Sequence, residues 1–155
     1  MVRSRRLVLR QNLGSHGAGE WELHEALRKR GLDFRRQQPI PQPPGGRGRY
    51  WFVDFARWPL AVELTWHGID PLNEGWRPRT LHIVNQGWHL IYIVVCSPTL
   101  ALFDAAGAYV AAHARCLERG QKVPRLDLAV FIMRLVDGEW RAVCERKDPW
   151  AAERR

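Results

Sequence analysis

The stretch Tyr50-Trp51-Phe52-Val53-Asp54-Phe55-Ala56-Arg57-Trp58-Pro59-Leu60-Ala61-Val62-Glu63-Leu64-Thr65-Trp66 decides how this chain is read. Two short apolar runs, residues 50–56 and 60–66, flank Trp58-Pro59, and the pattern predicts a hairpin. Period-2 alternation sends Tyr50, Phe52, Asp54 and Ala56 to one face of the first strand and Trp51, Val53 and Phe55 to the other. A turn centred between Trp58 and Pro59 sets Asp54 opposite Glu63, with Cβ atoms roughly 5 Å apart on one face. A lone acid in such a run is ordinarily an edge-strand or solvent-facing residue. Two acids converging in a protein interior need a proton or a cation, and their hard oxygens suit Mg²⁺ or Mn²⁺.

Outward from the hairpin, residues 20–30 predict a helix. Leu23, Ala26 and Leu27 make its apolar stripe, acids crowd its first turn, cations its last, and Gly31 is a natural stop. At roughly 100° per residue, Glu20 falls on the side of Leu23 and Leu27, toward the core and within reach of a site. An acid at a helix N-terminus also simply suits the helix dipole. Residues 34–40 read as a strand, and the turn formers of residues 41–49 read as a mobile loop that ends in Arg47-Gly48-Arg49.

Downstream, residues 68–78 form a loop, Pro78 opens a short helix that Gly87 ends, and residues 90–96 read as a buried strand. Asp104 is expected to cap a helix running to Arg119, with Tyr109, Val110, His113 and Leu117 on one side and His113 a packed core residue. Residues 128–136 and 139–145 flank Asp137-Gly138, a type I′ hairpin signal. The expected organisation is a basic flexible N-terminus (1–18), a core (19–96), and a helix-plus-hairpin extension (97–155) packed on the same domain.

At 155 residues and 46% hydrophobic content the chain has the material for one folded domain. It has no apolar run of about 18 residues, and Met1-Val2-Arg3-Ser4-Arg5-Arg6 is not followed by the apolar stretch of a secretory signal. The expectation is a soluble, cytoplasmic protein with no membrane partner. Cys96, Cys116 and Cys144 are widely spaced and form no zinc-type pairing with histidines.

The formal charge is +8, and residues 1–49 hold eleven Arg/Lys against four Asp/Glu, while residues 50–155 hold thirteen against twelve. All cations except Lys29, Lys122 and Lys147 are arginines, which suit bidentate phosphate contacts. An anionic partner follows. A GC-rich genome would also enrich arginine.

The order helix, strand, strand, strand, helix, strand, then helix and hairpin, matches the core of the PD-(D/E)XK nuclease superfamily. Glu20-Trp21-Glu22-Leu23, Leu27-Arg28, Gly31, Phe34-Arg35-Arg36-Gln37 and Ile40 resemble the opening of the very-short-patch-repair-like endonucleases. Val53-Asp54-Phe55-Ala56, then Val62-Glu63-Leu64 with His67, then Arg79, Ile83 and Gly87-Trp88 resemble that branch's next two strands and helix. The resemblance spans about residues 20–96 as several short motifs in the right order. It implies an α/β fold with a restriction-endonuclease-like core (αβββαβ, a central mixed sheet flanked by helices) and a C-terminal helix and β-hairpin extension.

What the resemblance implies for function is hydrolysis of DNA phosphodiesters, nicking or cleaving, with Mg²⁺ or Mn²⁺. Asp54, Glu63 and the carbonyl of Leu64 would hold the metal, and Glu20 a second ion or a water. Thr65 stands where most of the superfamily has lysine, and His67 follows Glu63 by four where the relatives' histidine follows by five. Thr65 can hydrogen-bond the attacking water and His67 is the expected base. Arg79 is the expected phosphate clamp, and Arg35, Arg36, Arg47 and Arg49 would track the backbone of double-stranded DNA. Trp66 and Trp76 are candidates for stacking at a DNA step, with core packing as their alternative.

Two other readings are open on the same fold: a nucleic-acid-binding protein that lost catalysis, for which Thr65 speaks, and an endonuclease of structured RNA. A structural protein of a phage or mobile element is the third.

Overall fold

The computed structural model describes residues 19–45, 48–120, 128–144 and 149–150. The basic N-terminus at residues 1–18 and Arg47 lie outside the described residues. In chain order the elements are α1 (Glu20–Lys29), β1 (Arg35–Pro41), β2 (Tyr50–Arg57) and β3 (Leu60–Trp66). A 3₁₀ turn (Glu74–Trp76), α2 (Arg77–Asn85), β4 (His89–Val95), α3 (Leu100–Glu118), β5 (Leu128–Val136) and β6 (Glu139–Val143) follow. This is an α/β fold: one six-stranded sheet in the order β1-β2-β3-β4-β5-β6, with helices on both faces.

The pairing is mixed. β1, β2 and β3 form an antiparallel meander, β3-β4 and β4-β5 are parallel, and β5-β6 is antiparallel. Each parallel step needs a crossover, supplied by α2 and α3. The meander and the final hairpin are local pairings. At that hairpin Asp137 and Gly138 both take positive φ (51° and 79°), as a type I′ turn requires. The C-terminal hairpin thus continues the same sheet.

Alternation along β3, β4 and β5 builds two cores. Leu60, Val62, Ile91, Ile93, Ala129 and Phe131 pack against Leu23, Leu27, Leu102 and Phe103 of α1 and α3. Ala61, Leu90, Tyr92, Val94, Leu128 and Val130 pack with Ile83 of α2 on the other face. The strands β3, β4 and β5 step across the sheet in one direction, yet their crossover helices cover opposite faces. The two connections therefore have opposite hands, and one departs from the usual right-handed rule.

Two expectations need correction. α3 begins at Leu100 and is capped by Thr99, whose hydroxyl accepts the N–H of Leu102 at 3.4 Å. Asp104 lies inside the helix and pairs with Arg30 at 3.0 Å and Lys29 at 3.6 Å, tying α3 to the end of α1. The second correction concerns β2. Val53 belongs to the α2-side core and Phe55 to the α1/α3-side core, so the strict alternation expected of residues 50–56 fails. The phase changes at Asp54, next to Gln37 of β1, whose φ of 52° breaks the extended conformation there.

Candidate active site

Five elements send polar side chains to the point where the β2 phase changes. β2 and β3 pair as Arg57↔Leu60, Ala56↔Ala61 and Phe55↔Val62. One step further, at Asp54 and Glu63, the ladder gives way to a side-chain contact: Asp54 Oδ2 accepts the N–H of Leu64 at 2.8 Å. Asp54 is 7% exposed and Glu63 6%, so both carboxylates have left bulk water. Glu20, at the first position of α1, is 3% exposed and faces the same place.

Gln37 joins these acids. Its Nε2 donates to Glu20 Oε1 at 3.1 Å, Glu20 Oε2 at 3.2 Å and Asp54 Oδ1 at 3.3 Å. The left-handed backbone of Gln37 goes with this contact, because it accompanies the break in alternation. Arg36 donates to Glu20 Oε2 at 2.9 Å. On the far side Arg79, in the first turn of α2, donates through Nη2 to Glu63 Oε1 at 2.5 Å and to the carbonyl of Phe52 at 2.8 Å. Its Nη1 is buried with no partner among the described residues.

The electrostatics follow from this crowding. Burial first, then the charges of Glu63 and Glu20, push the Asp54 carboxyl from 3.8 up to about 9, against the stabilising Leu64 N–H. Burial also raises Glu63, while Arg79 pulls in the opposite direction. Tyr92, beneath the site, is driven up to about 12 by burial, and its hydroxyl lies 2.6 Å from that of Thr80.

A cavity of about 910 Å³ opens over these groups. Asp54, Glu63, Thr65, Gln37 and Arg79 line it together with Phe52, Leu64, Trp66, Ile69, Asn73 and Trp76. It lies toward the C-terminal half of β3, a parallel strand, where α/β sheets commonly bind ligands.

The sequence-derived candidates fall into three groups. Asp54, Glu63, Leu64, Thr65, Arg79, Trp66 and Trp76 share the cavity wall, with Glu20 held to it through Gln37. Thr65 is 4% exposed, and its hydroxyl donates to Ile93 O at 3.5 Å. Trp76 meets Tyr92 edge-on at 5.8 Å and has the Arg79 guanidinium 5.9 Å from its ring centroid. His67 is not among the cavity-lining residues: it is exposed and its ring rests 4.9 Å from that of Trp66.

The basic residues divide as well. Arg36 is engaged with Glu20, whereas Arg35 and Arg49 are exposed. Arg35 pairs with Ala56 at one end of the β1-β2 ribbon and Arg49 precedes Tyr50 at the other, about 20 Å away along the strand. Gln37, Phe52, Ile69, Asn73 and Gly75 are lining residues to which sequence reasoning gave no role. Gln37 stands in a motif quoted above but was given no role there, and its part in the site depends on a positive φ.

For a divalent cation, Asp54 and Glu63 offer the hard oxygens Mg²⁺ or Mn²⁺ prefers, and such an ion would offset the burial, and then the neighbouring charges, that raise Asp54. Among the described residues no three His, Cys, Asp or Glu side chains form a preassembled metal cage. The rest of the shell would be carbonyl, water or substrate oxygen, as Mg²⁺ commonly accepts. Among the described residues no helix is long and apolar enough to cross a membrane. Comparison with family models, curated proteins and solved structures found no match to this chain.

Proposed function

We propose that this chain is a Mg²⁺- or Mn²⁺-dependent endonuclease of DNA with a restriction-endonuclease-like core, in the very-short-patch-repair-like branch of the PD-(D/E)XK superfamily. The observation that carries the reading is the meeting of Asp54 and Glu63, two buried acids from neighbouring strands, in a cavity that also holds Thr65 and Arg79. The order of elements, with an antiparallel meander followed by parallel crossovers, supports it.

A bound divalent cation would polarise the scissile phosphate and lower the pKa of water. Asp54 and Glu63 would hold that ion, with the Leu64 carbonyl as a third donor. Leu64 N–H and Gln37 fix the orientation of the Asp54 carboxylate. Glu20, held by Arg36 and Gln37, would orient a water or add charge for a second ion. Arg79 supplies guanidinium N–H donors to the phosphate. Thr65 holds a water by its hydroxyl, and no histidine is given a part, since His67 lies outside the cavity wall.

The test is cleavage of supercoiled plasmid DNA by the purified chain with Mg²⁺ or Mn²⁺, beside Asp54→Asn and Glu63→Gln. Cleavage abolished in both variants and in chelator, with the fold retained, is the expected result. Wild-type turnover in excess chelator would overturn the metal mechanism. A second reading, a nucleic-acid-binding protein without catalysis, is favoured by Thr65 in the lysine position and by Arg79 already neutralising Glu63. It predicts binding without cleavage under every metal, and structured RNA as substrate is separated by offering tRNA in parallel.

A further inference from the structure

Arg79 holds an uncommon position for a substrate-binding residue, because its guanidinium is already bound to the site's own acid. Nη2 lies 2.5 Å from Glu63 Oε1 and 2.8 Å from Phe52 O, and its ion pair with Glu63 is largely buried, the side chains being 18% and 8% exposed. The pairing is incomplete, since Nη1 is buried without an acceptor among the described residues. An unmet N–H on a buried cation is costly, and a second anion would satisfy it. The arrangement leaves Glu63 partly neutralised, while Asp54 accepts from Leu64 and Gln37 and touches no cation among the described residues.

Resting on the reading of Asp54 and Glu63 as metal ligands, we propose that Arg79 is an internal counter-cation that competes with the divalent ion for Glu63 and is drawn off it by a substrate phosphate. A divalent ion held by Glu63 would meet the guanidinium already bound to that carboxylate, and the two like charges would repel each other. Metal and Arg79 therefore weaken each other on Glu63. A phosphodiester oxygen offers Arg79 the bidentate acceptor that its fork geometry fits, including the unsatisfied Nη1. With Arg79 turned to phosphate, Glu63 is free for the ion. Metal and nucleic acid then bind cooperatively, and by linkage each raises the other's affinity by the same factor. The protein alone holds its metal weakly.

The experiment is calorimetric titration of the full chain with Ca²⁺, chosen as an oxygen-seeking ion that allows binding to be read apart from turnover. It is run with and without a short DNA duplex on wild type and Arg79→Gln. Removing the competing charge should tighten Ca²⁺ binding to the protein alone by about tenfold or more. Duplex should tighten Ca²⁺ binding to wild type and leave Arg79→Gln unchanged. Ca²⁺ affinity equal to or below wild type in a folded Arg79→Gln protein overturns the proposal, as does equal linkage to duplex in both. Absence of any Ca²⁺ binding, in both proteins and with duplex present, overturns the metal-site reading itself. Should Arg79→Gln not fold, the wild-type guanidinium resonances of Arg79 decide. Release on saturation with Ca²⁺ and duplex supports the exchange, and a signal unmoved by both overturns it.

Discussion

Asp54 is raised chiefly by burial and then by two neighbouring acids, and the sign of the consequence can be worked out. A carboxyl whose folded pKa is about 9 against 3.8 leaves the folded state holding more protons than the unfolded state across that window. Metal-free stability should therefore fall as pH rises from about 4 toward 9, the opposite of a salt-bridged aspartate. Glu63, also raised, acts in the same direction. Asp54→Asn removes the charge and keeps an oxygen for the Leu64 N–H. It should be the more stable protein at pH 8 in chelator, by more than about 1 kcal/mol, and should match wild type near pH 4. Urea unfolding at both pH values checks this, and a difference that does not vary with pH would deny Asp54 its raised pKa. Saturating Mg²⁺ should reduce the pH dependence of the wild type.

Among the elements, the packing of α1 on α3 depends on one absent side chain. A Cβ on Gly107 would lie 2.6 Å from the Cβ of Ala26, so the helices meet at a spacing that only glycine permits. The same two helices carry Leu23, Leu27, Leu102 and Phe103, and α1 places Glu20 at the site. Gly107→Val should cost about 1–3 kcal/mol, since the added volume must push α1 away from α3. Chemical denaturation measures it, and wild-type stability in that variant would show that α1 can move at no cost. The ion pairs of Asp104 with Arg30 and Lys29 sit at the surface end of this helix pair and should contribute little to it.

Over the whole molecule, charge is distributed less simply than the count along the chain suggests. Residues 1–49 hold the excess of cations, but Arg36 is held by Glu20 and Arg79, further on, is held by Glu63. Arg35 and Arg49 remain exposed to meet a phosphate backbone, at opposite ends of the ribbon. Replacing both with Ala should flatten the dependence of log K on log salt by about 0.9 for each phosphate no longer neutralised, for every duplex sequence alike. Arg36→Ala should instead lower stability, because it strips a buried carboxylate of its cation. Fluorescence anisotropy at several salt concentrations measures the slope, and an unchanged slope in the double variant would place the footprint elsewhere.

The sequence by itself determined the kinds and order of the elements and the two strands that bear Asp54 and Glu63. These follow from local periodicity, turn chemistry and helix stop signals, each set within a few neighbouring residues. The Asp137-Gly138 turn was equally legible, since two positive φ values suit that pair. Only the tertiary structure decided that β5 joins β4 in parallel, that α2 and α3 take opposite faces, and that Thr99 rather than Asp104 caps α3. It also decided the partners within the site: Gln37 between Glu20 and Asp54, Arg79 on Glu63, and His67 outside the cavity. Each of these joins residues distant in sequence or turns on one backbone angle, as at Gln37. Periodicity carries no information about such pairings, because they are chosen by how packed elements share space and satisfy buried charge.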